Sequence, residues 1–218
     1  MKVDMHLHTM WSGDATTTPD ELAAAVEAAG LDVVCITDHS TVAGALALVR
    51  SGELPCQVVV GQESRTWDGE LIGLFLSARV PAGLRPEEFC AAVRAQGGLV
   101  YVPHPFDPMR HCMKPDALER LVGEGLIDCV EGLNAKTSLP SLNEAAVRFA
   151  ESHGLAVGAG SDAHVPAAVG AAYVEVPAFD VASPASLLAA LRSGRLFGGH
   201  YDPPREWRPR IVPSTKST

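Results

Sequence analysis

His6 and His8 stand two residues apart in VDMHLHTMWSGD, and an acid, Asp14, follows within one short segment. Side chains alternate across an extended strand, so positions i and i+2 share a face. Two imidazoles on one face are costly when buried without partners and well suited to a divalent metal ion, which takes neutral ring nitrogens as ligands. Hydrogen bonds within a strand would satisfy such a pair too, and the pair alone leaves both readings open. The pattern recurs, however. Asp162 and His164 repeat the i, i+2 spacing in GSDAH, while Asp38-His39, Glu63, His104 and Asn134 each follow an apolar run, respectively DVVCIT, QVVVGQ, GLVYVP and CVEGL. One segment can thus offer ligands to neighbouring ions, and a carboxylate such as Glu63 has two oxygens with which to bridge a pair of them. Histidine mixed with Asp and Glu, without Cys at these positions, favours Zn, Mn or Fe over an iron–sulfur centre or a pure Mg or Ca site. The plainer alternative, that these groups cap helices and satisfy strand ends, explains single members better than the set.

The elements that must position them alternate along the chain. Strand candidates are KVDMHL, DVVCIT, QVVVGQ, ELIGLFL, GLVYVP, IDCVEGL and GLAVGAG. The first helix is bounded by Thr18 as N-cap, Pro19 at the first helical position, Glu21 completing a capping box, and Gly30 as its stop. Further helices are expected at 41–50, 86–96, 115–123, 140–153 and 184–193. Alternating β and α patterns indicate βαβ units on a parallel sheet, and about seven units fill the chain, the spacing of a βα barrel. A doubly wound open sheet is the alternative. Every strand candidate except ELIGLFL is followed by a potential ligand or acid/base, and in both architectures the C-terminal strand edge is where sites are built.

Composition narrows the function classes. The 218 residues are 47% hydrophobic and 20% charged, as expected for one domain with a substantial core. A formal charge of -9 argues against duplex nucleic acid as a partner. It leaves a small phosphorylated substrate open, because bound cations reverse the local field. Five scattered cysteines without a C-x-x-C pair suit a reducing compartment, and neither a signal-peptide core nor a membrane-length apolar run is seen, so the expectation is a cytoplasmic protein without a membrane partner. Residues 1–200 read as the domain, and the Pro/Arg-rich residues 201–218 as a surface-hugging or disordered tail.

The motifs HLHT, ITDHS, GQE, VPHPFD and GSDAH, in this order, resemble those of the polymerase and histidinol phosphatase (PHP) family over residues 1 to 200. The resemblance implies a distorted seven-stranded (β/α)7 TIM-like barrel, three divalent metal ions, and phosphoester hydrolysis by metal-activated water. His6, His8, Glu63 and Asp162 resemble the ligands of a first ion. Glu63 and His104 resemble those of a second, with Asn134 near it, and Asp14, His39 and His164 those of a third. Some members have histidine where this chain has Asp14 and Asn134, which implies a weaker or different third ion. His39, His164 and Asp162 are the candidate catalytic residues, with either histidine as proton donor.

Outside those motifs, Arg110 is a candidate to hold phosphate oxygens. Lys136 reads as a solvated lysine and Cys112 as a small apolar filler. Asp38 reads either as the partner of an imidazole or as the cap of the next helix. His111, His153 and His200 match no ligand motif. The leading expectation is therefore a metal-dependent phosphoesterase acting on a small phosphorylated molecule or nucleotide. A non-catalytic metal-binding PHP module and a metal-dependent amidohydrolase are the rivals. The departures at Asp14 and Asn134 point away from histidinol phosphate as substrate.

Overall fold

A computed structural model describes residues 1–204. Seven strands form the body: β1 (Lys2–Leu7), β2 (Val33–Ile36), β3 (Gln57–Thr66), β4 (Gly69–Leu74), β5 (Leu99–Val102), β6 (Cys129–Asn134) and β7 (Ala156–Gly160). Two more, β8 (Ala172–Glu175) and β9 (Arg195–Gly198), complete a nine-stranded sheet in the order β7-β6-β5-β4-β3-β2-β1-β8-β9. The sheet curls almost shut. Beyond the end of β7, Asp162 N–H donates to His6 O at 2.7 Å and His8 N–H donates to Ala163 O at 2.9 Å, so β1 meets the continuation of β7. Gly160 permits this approach, since a Cβ there would lie 2.3 Å from His6 Cβ.

The seven expected strands are β1 to β7, and the architecture is a βα barrel. Two details differ from expectation. β4 runs antiparallel to both β3 and β5, because only Trp67 and Asp68 separate β3 from β4, a connection that suits a hairpin and cannot hold a crossover. At its start Gly69 has φ +138°, and a Cβ would lie 2.4 Å from Met113 Cα. The second detail is the antiparallel pair β8 and β9 on the outer edge of β1. At four residues each, these strands are too short for a strong alternating signal.

The helices are α1 (Pro19–Ala29), α2 (Ala43–Ser51), α3 (Pro86–Arg94), α4 (Pro115–Gly123), α5 (Pro140–His153) and α6 (Pro184–Leu191), each within two residues of its expected bounds. The capping box of α1 forms as its sequence dictates: Glu21 N–H donates to Thr18 Oγ1, Thr18 N–H donates to Glu21 Oε2 at 3.0 Å, and Gly30 closes the helix at φ +62°. Strand alternation sorts the core. Val33 and Cys35 of β2, and Leu99 and Tyr101 of β5, join one buried cluster. Their neighbours face helices instead, Val34 and Ile36 with Leu22 and Val26 of α1, Val100 and Val102 with Phe89 and Val93 of α3. Tyr201, from the expected tail, donates its N–H to Ala135 O at 2.8 Å, while the tail expectation for 205–218 lies outside the described residues. Among the described residues no helix is long and apolar enough to cross a membrane.

Candidate metal centre

The ends of β1, β2, β5, β6 and β7, the body of β3 and the loop carrying Asp14 bring the predicted residues together at one edge of the barrel. The two oxygens of Glu63 in β3 face different imidazoles. Oε1 lies 3.3 Å from His104 Nε2, and Oε2 lies 3.5 Å from His6 Nε2, 3.3 Å from His8 Nε2 and 3.1 Å from His39 Nδ1. Asp162 Oδ1 lies 3.8 and 3.5 Å from the Nε2 atoms of His6 and His8, which are themselves 3.2 Å apart. Farther out, Asp14 Oδ2 is 3.0 Å from His164 Nε2 and 3.6 Å from His39 Nε2. The side chains of Asp14 and His39 are 41% and 35% exposed, against 0% for His6 and His8, so this outer group forms the mouth of the cluster.

Four non-glycine residues among those described have positive φ, and His104 (+28°) and Asp162 (+50°) are two of them. Such conformations cost roughly 1–3 kcal/mol each and persist where surrounding structure imposes them. Here they turn donor side chains at the ends of β5 and β7 into the cluster.

Electrostatics follow from this crowding. Burial raises the Glu63 carboxyl, but the His6 charge and hydrogen bonds from His104 and His39 outweigh it and leave the group well below the usual glutamate range. Asp162 is likewise held low against burial by His6, His8, Lys136 and Arg110. His39 is pushed up to about 10, because its bonds to Asp14 and Glu63 overcome burial. His164 is pushed down to about 4 by burial and by neighbouring His8.

Several residues that sequence reasoning passed over complete the site. Glu131, fully buried inside β6, takes His6 Nδ1 at 3.1 Å on Oε1 and accepts the N–H of His104 at 2.7 Å on Oε2. Ser12 Oγ lies 3.2 Å from His8 Nδ1. With their Nδ1 atoms engaged, His6 and His8 turn Nε2 toward the cluster, the arrangement usual for metal-binding histidines. Glu70 Oε2 lies 3.8 Å from His104 Nε2, because the antiparallel β4 brings its first residues to this edge.

Other expectations need correction. Asn134 is committed elsewhere: its amide oxygen accepts Lys136 N–H at 2.8 Å, and its amide nitrogen donates to Glu131 at 2.9 Å and Asp162 at 3.3 Å. It ties the Glu131 and Asp162 carboxylates to the Lys136 turn. Lys136 is not a solvated lysine. Its side chain is 2% exposed, with Nζ 3.0 Å from His164 Nδ1 and 3.6 Å from Asp162 Oδ1. Among the described residues Asp38 caps no helix and hydrogen-bonds no imidazole; both its oxygens accept from Thr9, N–H and hydroxyl, at 2.6 Å. Arg110 does reach the site and pairs with Asp162 Oδ2. His153 bonds Phe149 O within α5, and His200 bonds Thr137 O, both away from the cluster.

The donors fit divalent metal ions. Ring nitrogens and carboxylate oxygens of His6, His8 and Glu63, of His6, His104 and Asp162, of Glu63, Glu70 and His104, and of His8, His39 and His164 fall in groups within 4.8 Å of one another. His104 Nδ1 is buried without a hydrogen-bond partner, which hydrogen bonding alone leaves unexplained. A cleft of 470 Å³ opens over the cluster, with Arg65, Met109, Arg110 and His111 on its walls.

Barrel and donor set together define a metal-binding centre of imidazoles and carboxylates at the site edge of a βα barrel. A family profile for the PHP domain matches residues 4–79 and one for the PHP-associated region matches 140–196. An uncharacterized protein of Methanocaldococcus jannaschii is 33% identical over 189 residues, 86% of this chain and 75% of its own length. A second from that organism is 38% identical over 120 residues, 50% of this chain and 70% of its own. The chain belongs to the PHP family. Solved structures agree on the fold. A two-domain protein of Bacteroides vulgatus containing a predicted PHP-like metal-dependent phosphoesterase superposes with a TM-score of 0.70 at 20% identity, over 91% of this chain and 65% of that one. An amidohydrolase from Chromobacterium violaceum, solved with sulfate and no metal, gives 0.63 at 17% identity, over 91% of this chain and 98% of that one.

Proposed function

We propose that the protein is a metal-dependent phosphoesterase that hydrolyses a phosphomonoester or phosphodiester of a small molecule or nucleotide. One observation carries the reading: a cluster of imidazoles and carboxylates opens into a cleft that also holds the cations Arg65 and Arg110, so a substrate entering it meets metal donors and anion-binding groups together. His6, His8, His104, Glu63, Glu70 and Asp162 would hold the inner ions, and Asp14, His39 and His164 a third. Bound there, divalent ions supply electrophilic stabilisation of phosphoryl oxygens and a water acidic enough to attack near neutral pH.

The remaining work falls to side chains. Arg110 orients the phosphoryl oxygens through its N–H fork. With the outer position empty, His39, partly exposed at the mouth, is placed to give a proton to the leaving oxygen. Asp162 holds Arg110 and Lys136 in place. No serine or cysteine nucleophile is called for. The five free cysteines support a cytoplasmic setting.

The test is a panel of nucleoside monophosphates, bisphosphates, cyclic phosphodiesters and histidinol phosphate, with N-acyl amides beside it, assayed in the presence of Mn. Phosphate release from some member supports the reading. Amide cleavage alone would favour an amidohydrolase, and silence from metal-loaded, folded protein a non-catalytic module.

A further inference from the structure

Lys136 is the one buried lysine among the described residues, and the fold goes to some length to aim it. The turn after β6 is pinned on every side: Lys136 N–H donates to the Asn134 amide oxygen at 2.8 Å, Thr137 N–H to Asn134 O at 3.2 Å, Ala135 N–H to Gly160 O at 3.1 Å, and Tyr201 N–H to Ala135 O at 2.8 Å. The side chain so directed places Nζ 3.0 Å from His164 Nδ1 and 3.6 Å from Asp162 Oδ1.

An ammonium has three donors and no lone pair, so a ring nitrogen bonded to it must accept. The proton of a neutral His164 then sits on Nε2, where Asp14 Oδ2 receives it at 3.0 Å. The other tautomer has a partner as well, because His164 Nδ1 is 2.8 Å from the carbonyl oxygen of Asp162. Only that second tautomer leaves the Nε2 lone pair free to bind a cation. Choosing it takes the ring acceptor away from Lys136 and sets a dication one imidazole away from a buried positive charge, where screening by water is weak. Lys136 therefore opposes cation binding at the outer position made by His164, His39 and Asp14. Among the inner donors it reaches Asp162 Oδ1, at 3.6 Å against 3.0 Å to the His164 ring, so its main effect falls on the outer position.

On the reading that the cluster holds metal ions, we infer that Lys136 is a positioning residue that fixes the His164 tautomer and makes the outer metal position the weak one. The ion there exchanges while the inner ions stay.

The experiment strips the full chain with chelator, reloads it with Mn(II) or Zn(II), and follows stepwise affinity by calorimetry and retained ions by elemental analysis after dialysis. The wild type should keep two ions and lose a third on dialysis. Lys136→Met, which keeps length and removes charge, should bind the outer ion about tenfold to a hundredfold more tightly, and Lys136→Arg should behave like the wild type. Should the methionine variant fail to fold, nitrogen-15 NMR of the wild-type imidazoles at two ions per chain decides the matter, with His164 expected as the Nε2–H tautomer. Three equally tight ions in the wild type, no tightening in a folded Lys136→Met, or an Nδ1–H signature for His164 would each overturn the inference. A chain that binds no divalent ion overturns the metal centre and this inference together. One that binds ions as described but cleaves no phosphate ester overturns the proposed activity alone.

Discussion

His6 Nδ1 lies 3.1 Å from Glu131 Oε1, so a fully buried imidazole of the cluster is oriented by a carboxylate from β6, which follows β7 around the nearly closed barrel. The same carboxylate accepts the His104 N–H and the Asn134 amide on its other oxygen. Glu131→Gln keeps the shape but turns an amide NH2 toward one set of donors. Affinity for the inner ions should fall about tenfold to a hundredfold, with folding stability down by about 1–3 kcal/mol. Titration calorimetry with Mn(II) and urea denaturation read the two separately. Unchanged metal affinity in the folded variant would remove Glu131 from the support of the site.

Asp107 pins the loop that carries Arg110, whose backbone N–H donates to Asp107 O at 3.0 Å. Both Asp107 oxygens are used, Oδ2 accepting from Ser138 N–H at 2.7 Å and Oδ1 from the Ser138 hydroxyl at 2.8 Å and Met109 N–H at 3.0 Å. Burial raises this carboxyl, yet these donors and the charge of Arg110 hold it below the usual aspartate value. A carboxyl depressed in the folded state adds stability above its unfolded pKa and loses it as pH falls through the folded one. Asp107→Asn should therefore cost about 1–3 kcal/mol at neutral pH, and the gap from the wild type should shrink below pH ~4, where free aspartate protonates. Urea midpoints from pH 7 to 3 check this. A gap that stays constant with pH would mean that charge is not what Asp107 contributes.

The sequence disclosed those donors that lie just after apolar runs, because in a parallel strand that position is the site edge. Glu131 escaped since it sits inside its strand, in CVEGLN, where only an acid amid apolar neighbours signals an inward polar contact. Glu70 escaped because it begins its strand, and only the antiparallel direction of β4 carries it to the site; the short W-D-G connection was the available signal. Lys136 looked solvated because its burial depends on a turn held by Gly160 and Tyr201, contacts distant in sequence, together with neighbouring Asn134. The helices were legible nearly to the residue, since caps and prolines act locally.

Crowded carboxylates predict a stability that depends on divalent ions. Glu63, Glu70, Glu131 and Asp162 are all buried around one cluster, and the Glu70 carboxyl is pushed up by burial and by the charge of Glu63. Cations that bind the folded chain alone stabilise it by mass action, about 2.7 kcal/mol for one site at a hundredfold excess over its Kd. For a chain of this size the melting temperature should rise by roughly 5–10 °C with Mn(II), and chelator should reverse it. Differential scanning fluorimetry with sodium at matched ionic strength is the control. Equal shifts from sodium and manganese would point to general screening and count against specific sites.

Glu63 and Asn134 should separate a ligand from an organiser. The two oxygens of Glu63 face separate imidazole groups, so Glu63→Gln removes a charge and one of two oxygen acceptors from the middle of the cluster. Both inner ions should weaken together, and turnover on any active phosphate ester should drop by about an order of magnitude or more. Asn134 acts through neutral hydrogen bonds to Glu131, Asp162 and the Lys136 turn. Asn134→Ala should cost about 1–3 kcal/mol of folding stability and still fill both inner positions at saturating metal. Metal content and turnover of the two variants, at matched folded fraction, decide between these roles. A Glu63→Gln protein with full metal and full turnover would show that the carboxylate bridges nothing, and the inner centre would have to be rebuilt around Asp162 and Glu70.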